Sequence, residues 1–99
     1  MAKPILDRAE VGIDFPEKFY HGTFGKSSRF DVRRENDGVA ITLDRGESEK
    51  RHVEFHIHYF LLEDILSSLT DELKDTDSIP REHRKKLLNA ARKISDALG

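Results

Sequence analysis

The chain has no cysteine and no tryptophan among its 99 residues. The absence of cysteine excludes disulfides, thiolate zinc sites, cysteine nucleophiles and thiol redox chemistry. Any bound metal would therefore need histidine and carboxylate ligands.

Long hydrophobic runs are missing as well. No stretch approaches the roughly 18 consecutive apolar residues of a membrane-spanning helix, and the segment from Met1 to Pro4 has no secretory apolar run. We therefore expect a cytoplasmic protein that does not engage a membrane.

The charge balance contains no excess of basic residues. Seventeen Lys and Arg against 19 Asp and Glu give a net charge of -2, so no global positive field attracts nucleic acid. The length excludes Rossmann domains, TIM barrels and kinases. Leu, Ile, Val and Phe make up 27 of the 99 residues, which is enough to predict one small folded domain.

Residues 1–26 combine prolines and glycines with scattered apolar residues, and this mixture predicts an irregular N-terminal segment. Its single regular feature is the alternation of Val11, Ile13 and Phe15, which indicates at most one short edge strand ending at Pro16. Residues 27–99 are predicted to form a single α+β domain.

Three strands are predicted in the first half of that domain, because apolar and polar residues alternate there with a period of two. Asn36, Asp37 and Gly38 tolerate positive φ and predict a hairpin turn, and a second, polar turn is predicted over residues 46–50. The apolar residues of the three strands are Phe30 and Val32, then Val39, Ile41 and Leu43, then Val53, Phe55, Ile57 and Tyr59.

The periodicity becomes helical at Phe60 and remains so to about Lys74, with Glu63 and Asp64 expected in the first turn. Residues 75–78 interrupt the pattern, and Ser78 with Pro80 resembles a helix start. A second amphipathic helix is predicted from about Pro80 to Leu98.

These elements predict a β-β-β-α-α fold. A three-stranded antiparallel meander would be followed by an antiparallel helix pair packed on one face of the sheet, because that packing removes all the apolar surfaces from water. A core this small favours additional association, so a homodimer is a reasonable expectation.

The third strand places three histidines and one glutamate on a single face, since residues two apart on a strand project to the same side. Neutral imidazoles can bind zinc, copper or nickel, which makes a metal site one hypothesis. The alternative is a solvent-facing strand whose imidazoles pair with neighbouring carboxylates. The candidate metal ligands are His52, His56 and His58, with Glu54 beside them.

The same outer face should carry Arg29, Asp31, Arg33, Thr42 and Asp44 from the neighbouring strands, and this mixture of charges suits a protein partner. RNA-binding sheets expose aromatic residues, whereas the aromatic residues here alternate toward the apolar side. The leading hypothesis is therefore a small binding or regulatory module that acts through protein contact. Its candidate contact residues are Arg29, Arg33, Glu54 and His56.

The second helix is basic and the first acidic, which allows two interpretations. Neighbouring helices of opposite charge attract weakly, and this is the simpler account. The alternative is nucleic-acid binding with a strong dependence on salt. The residues concerned are Arg81, Arg84, Lys85, Lys86, Arg92 and Lys93.

No catalytic centre can be assembled from the sequence. The segment His21 to Ser28 contains glycines and a lysine but lacks the first glycine of a phosphate-binding loop. No acid-base pair or nucleophile group can be placed together, so we predict a protein that is not an enzyme and needs no cofactor.

Overall fold

The computed structural model describes residues 2–45, 51–74 and 79–99. The chain divides into two compact units, Met1–Leu62 and Glu63–Gly99. In chain order the elements are β1 (Lys3–Pro4), β2 (Ala9–Phe15), β3 (Lys18–Phe24), β4 (Arg29–Arg34), β5 (Gly38–Asp44), β6 (His52–His58), α1 (Tyr59–Leu73) and α2 (Arg81–Leu98).

The described residues form six strands rather than three, so the predicted β-β-β-α-α fold is wrong. One sheet has four strands in the order β1-β4-β5-β6, and β2 pairs with β3 in a separate two-stranded sheet. The N-terminal segment is not irregular, since it contains β1, β2 and β3. Strand β3 escaped prediction because its inward face carries Tyr20, Gly22 and Phe24, and the glycine interrupts the apolar alternation.

The three strands predicted from alternation are present as β4, β5 and β6, and consecutive strands pair antiparallel. Their register aligns Phe30 with Leu43 and Leu43 with Val53, so apolar residues form rows across one face. The predicted turn at residues 46–50 lies outside the described residues.

Gly38 begins β5, and glycine is required at this position because the backbones of β5 and β6 approach closely, not because the residue has a positive φ. Among the described glycines only Gly99 has a positive φ. A Cβ atom on Gly38 would collide with the carbonyl oxygen of Ile57 and lie 2.7 Å from the Cα atom of His58. Strands β5 and β6 therefore meet at a point where no side chain fits.

The apolar core of the first unit lies between the β2–β3 hairpin and one end of the meander. Ile5, Val11 and Phe24 are buried in one cluster. The partly buried residues packed against this cluster are Ile13, Phe30, Leu43 and Val53. The hairpin therefore covers the row of the sheet farthest from the turn at residues 35–37.

Helix α1 begins directly after β6, where the backbone N–H of Tyr59 donates to the carbonyl oxygen of Asp37 at 2.9 Å. The helix starts earlier than expected, and its first turn contains no acidic residue. The prediction that Glu63 and Asp64 lie in the first turn is therefore wrong. Pro80 is the N-cap residue of α2. The predicted break at residues 75–78 lies outside the described residues.

No residue of either helix is buried. The predicted burial of their apolar stripes is therefore not observed, and Ile65, Leu66, Leu69, Leu87 and Ile94 are all exposed. Neither described helix has the length and hydropathy required to cross a lipid bilayer.

Candidate functional site

One face of the meander carries polar residues in rows, as the alternation predicts. The antiparallel register places Arg33 on β4 and His56 on β6 on either side of Ala40, while Asp31 and Glu54 flank Thr42. The row beyond consists of Arg29, Asp44 and His52. The four predicted contact residues therefore share one face.

Arg33 and Glu54 form a bridge that crosses β5. The Arg33 Nη2 atom donates to Glu54 Oε1 at 2.9 Å, and Arg33 Nη1 lies 3.5 Å from Asp31 Oδ2. Ala40 lies in the strand between them and is 0% exposed. The hydrogen bond from Arg33, followed by that from His56, lowers the pKa of Glu54, so this carboxylate stays ionised to a lower pH.

The His56 ring lies between two carboxylates. Its Nδ1 atom is 2.9 Å from Glu35 Oε1, and its Nε2 atom is 3.4 Å from Glu54 Oε2. The hydrogen bond to Glu35, followed by that to Glu54, raises the pKa of His56. We call Asp31, Arg33, Glu35, Glu54 and His56 the polar patch.

Glu35 was missed by the sequence reasoning, although a signal was available. Glu35 lies two residues after Arg33, just past the end of β4, and therefore continues the alternation of Asp31 and Arg33. This spacing predicts that Glu35 lies on the same face of the sheet as those two residues. Its carbonyl oxygen accepts a hydrogen bond from the Tyr59 hydroxyl at 3.1 Å. This bond positions the residue beside the His56 ring.

An open cleft of about 460 Å³ adjoins the polar patch. It is lined by the turn from Glu35 to Gly38 and by the end of β6 from His56 to His58. Glu35 and His56 belong to both the cleft and the patch, and Asp37 adds another carboxylate. The cleft is therefore a polar recess in which acidic groups outnumber guanidinium and ammonium groups.

The three candidate metal ligands do not converge on one point. His52 and His58 stand at opposite ends of β6, about 20 Å apart by the rise of a strand. When the His56 ring is protonated, its Nδ1 atom donates to Glu35 and its Nε2 atom forms an ion pair with Glu54, so neither nitrogen offers a lone pair to a metal. Across residues 2–45, 51–74 and 79–99, no cluster of three or more potential ligands could hold a metal ion.

Arg29 is separated from the other predicted contact residues. It lies four residues before Arg33 on β4, about 13 Å away along the strand. The structure therefore brings together Arg33, Glu54 and His56, adds Glu35 and Asp31, and leaves Arg29 at the far end of the same face.

The basic residues predicted for nucleic-acid binding are exposed on α2. Arg81, Arg84 and Lys85 line a shallow recess with Leu88. Lys86 is 3.7 Å from Glu82, one helical turn earlier, so part of the basic charge is balanced within the helix. Nucleic-acid binding by α2 stays a prediction.

The polar patch should be most stabilising in a defined pH window. The His56 pKa is raised, so its contribution is complete below pH 6.5 and is lost as the pH rises through the folded value. The Glu54 pKa is lowered, so its contribution is complete above pH 4.5 and is lost as the pH falls through the folded value. Urea midpoints should therefore be highest between about pH 4.5 and 6.5.

An NMR titration of the His56 ring tests the cause of this behaviour. Glu35→Gln should lower the pKa of His56 because it removes the largest stabilising contact of the imidazolium. Glu10→Gln, on the separate β2–β3 sheet, is the matched control and should leave the titration unchanged. An unaltered His56 curve in Glu35→Gln would show that the two side chains do not interact.

Comparisons with family models, with curated proteins and with solved structures return no match for this chain. The polar patch and its surroundings therefore carry the information about function.

Proposed function

We propose that this protein is a binding module that recognises a basic segment of a partner protein through the polar patch and the adjoining cleft. The observation that supports this most directly is the ordered set of charged side chains on an open sheet face. Arg33 and His56 each bridge two carboxylates, so the acidic groups are held in place before a partner arrives.

The charge of the patch determines the kind of partner. The N-terminal ammonium is the largest cause of the lowered pKa of Asp31, so this carboxylate is already compensated. Around the cleft, Glu35, Asp37 and Glu54 carry three negative charges, whereas Arg33 and a protonated His56 carry two positive charges. This part of the surface is therefore negative by one unit, or by two when His56 is neutral. A lysine or arginine side chain of a partner complements this charge.

The arrangement also favours binding over proton transfer by the patch histidine. Both ring nitrogens of His56 are within hydrogen-bonding or ion-pairing distance of carboxylates of the same chain. A general base needs a nitrogen aimed at a substrate proton. The network of paired groups instead preserves the shape of the patch, which is useful for recognition.

The binding test uses two random peptide libraries, one rich in Lys and Arg and one rich in Asp and Glu. The basic library should bind and shift the NMR signals of His56 and Asp37, and the acidic library should not. The variant Glu35→Gln, Glu54→Gln should bind basic peptides about tenfold more weakly, because two carboxylates that pair with cations of the peptide are lost.

The control variant Glu10→Gln, Glu17→Gln replaces two glutamates of the β2–β3 hairpin, so its net charge changes by the same amount as that of Glu35→Gln, Glu54→Gln. It should retain the affinity of the unmodified chain. Equal losses in both double variants would mean that binding reflects net charge alone, and this result would overturn the proposal. So would the failure of the basic library to bind.

A further inference from the structure

The outer edge of β6 has no strand beside it among the described residues. The sheet order β1-β4-β5-β6 makes β6 terminal, and it pairs with β5 along all seven of its residues. An edge strand presents unpaired N–H and C=O groups to its surroundings. The outward backbone groups of β6 are therefore not paired within the sheet that the described residues form.

The hydrogen bonds at the two ends of the β5–β6 pair show which groups point outward. Arg45 N–H donates to the Arg51 carbonyl, and Tyr59 N–H donates to the Asp37 carbonyl, each at 2.9 Å. Hydrogen-bonded and non-bonded pairs alternate in an antiparallel ladder. Val53, Phe55 and Ile57 therefore bond toward β5, and the even-numbered residues from His52 to His58 direct their backbone groups outward.

Strand β6 carries little of the protection that is usual at an exposed edge. Proteins commonly block such an edge with charged side chains, especially lysine, with proline or with a covering strand. Strand β6 contains neither lysine nor proline, and its one carboxylate, Glu54, is held in ion pairs with Arg33 and His56. By contrast, β4 is covered by β1 at Phe30 and Arg29, and it carries Arg33 and Arg34 on the remainder of its edge.

The sequence of β6 is complementary to itself when reversed. With Phe55 at the centre, antiparallel pairing of two copies places Val53 opposite Ile57 and Glu54 opposite His56. His52 then lies opposite His58, and Phe55 lies opposite its own copy. Apolar residues meet apolar residues on one face, and a carboxylate meets an imidazole on the other.

We propose that two copies of this chain associate through their β6 edges, antiparallel and centred on Phe55, into one continuous eight-stranded sheet. The outward groups of Glu54 and His56, and of His52 and His58, form the hydrogen-bonded pairs of the new ladder. Phe55 is 41% exposed in the single chain, and it packs against its symmetry partner in the dimer.

Other registers that keep the two faces aligned are less favourable. A shift in one direction places Glu54 opposite Glu54 of the second copy, which opposes like charges. A shift in the other direction places His56 opposite His56. Either shift also leaves two of the seven residues of β6 without an opposite residue in the partner strand. The register centred on Phe55 uses the whole strand and opposes no carboxylates.

Single-cysteine variants test this register, because the chain contains no cysteine of its own. At the two-fold axis the two Phe55 residues form a non-hydrogen-bonded pair with Cα atoms about 4.5 Å apart, within the range of a disulfide. The two Val53 residues lie about 13 Å apart, beyond that range. Phe55→Cys should therefore cross-link at least about tenfold faster than Val53→Cys under mild oxidation.

Sedimentation equilibrium with variants at position 54 tests the role of the outer edge. The Glu54 N–H points away from β5, so Glu54→Pro should remove an edge donor without removing a β5–β6 hydrogen bond. We expect this variant to be monomeric with an unchanged far-ultraviolet circular dichroism spectrum. Glu54→Gln retains the N–H and should still form dimers.

Three results would overturn the inference. The first is an unmodified chain that is still monomeric at about 100 µM, a concentration well above a micromolar dissociation constant. The second is equal rates of cross-linking for Phe55→Cys and Val53→Cys. The third is a dimer that persists in a folded Glu54→Pro variant. The cysteine variants keep the question answerable if Glu54→Pro does not fold. The association goes beyond the proposed partner binding, which is measured separately by the peptide libraries.

Discussion

Replacement of Phe24 by alanine should lower the free energy of unfolding by about 3–5 kcal/mol, the usual cost of removing a large buried aromatic side chain. Phe24 is 0% exposed and lies in the buried cluster with Ile5 and Val11. Small domains are stable by only about 5–15 kcal/mol, so this loss is a large share of the total. We expect a marked fall in the urea midpoint.

Phe19 offers a matched control on the same strand. It is 70% exposed, so Phe19→Ala should change the free energy of unfolding by no more than about 0.5 kcal/mol. Both variants can be measured by urea denaturation followed by circular dichroism. Equal effects of the two substitutions would mean that the β2–β3 hairpin does not supply the core of the first unit.

Replacement of Gly38 by alanine should have the second largest effect, with a cost of about 3 kcal/mol at the upper end of the overpacking range. The added Cβ atom would meet the backbone of β6 at Ile57 and His58. A backbone cannot move aside as a flexible side chain can, so β6 must shift relative to β5. Urea denaturation should show the loss of stability.

This substitution should also disturb the candidate site. Gly38 lines the cleft beside His56 and follows the turn that carries Glu35. A shift of β6 would lengthen the 2.9 Å contact between Glu35 and His56, and the NMR titration of His56 should move toward lower pH.

Gly25→Ala is the control for the Gly38 substitution. A Cβ atom on Gly25 would meet nothing within 4 Å, and Gly25 is not among the glycines with a positive φ. Its replacement should leave stability unchanged or raise it slightly, because alanine restricts the unfolded chain. A Gly38→Ala variant as stable as Gly25→Ala would show that β5 and β6 do not approach as closely as described.

Strand β6 is central to both functional proposals, and the two use different parts of it. Partner binding uses the side chains of Glu54 and His56 on the polar face, together with Glu35. Self-association uses the outward backbone groups along the edge and the side chain of Phe55. A dimer of this kind would bring two polar patches onto one face of a continuous sheet, which would let the protein bind a partner at two points.

The sequence by itself determined the elements whose residues repeat with a clear period. The alternation of apolar and polar residues located β4, β5 and β6 and assigned Arg33, Glu54 and His56 to one face. The helical period located α1 and α2 to within about two residues. These features are local, because the direction of each side chain follows from the strand or helix that carries it.

Only the tertiary structure decided the features that depend on contacts between distant residues. Strand β3 was hidden because Gly22 lies on its inward face, and its pairing with β2 became visible only in the register. The contact of Glu35 with His56 joins residues 21 positions apart, and the need for glycine at position 38 arises from the backbone of β6. Periodicity contains no information about which segments approach each other, so these contacts had to be seen in three dimensions.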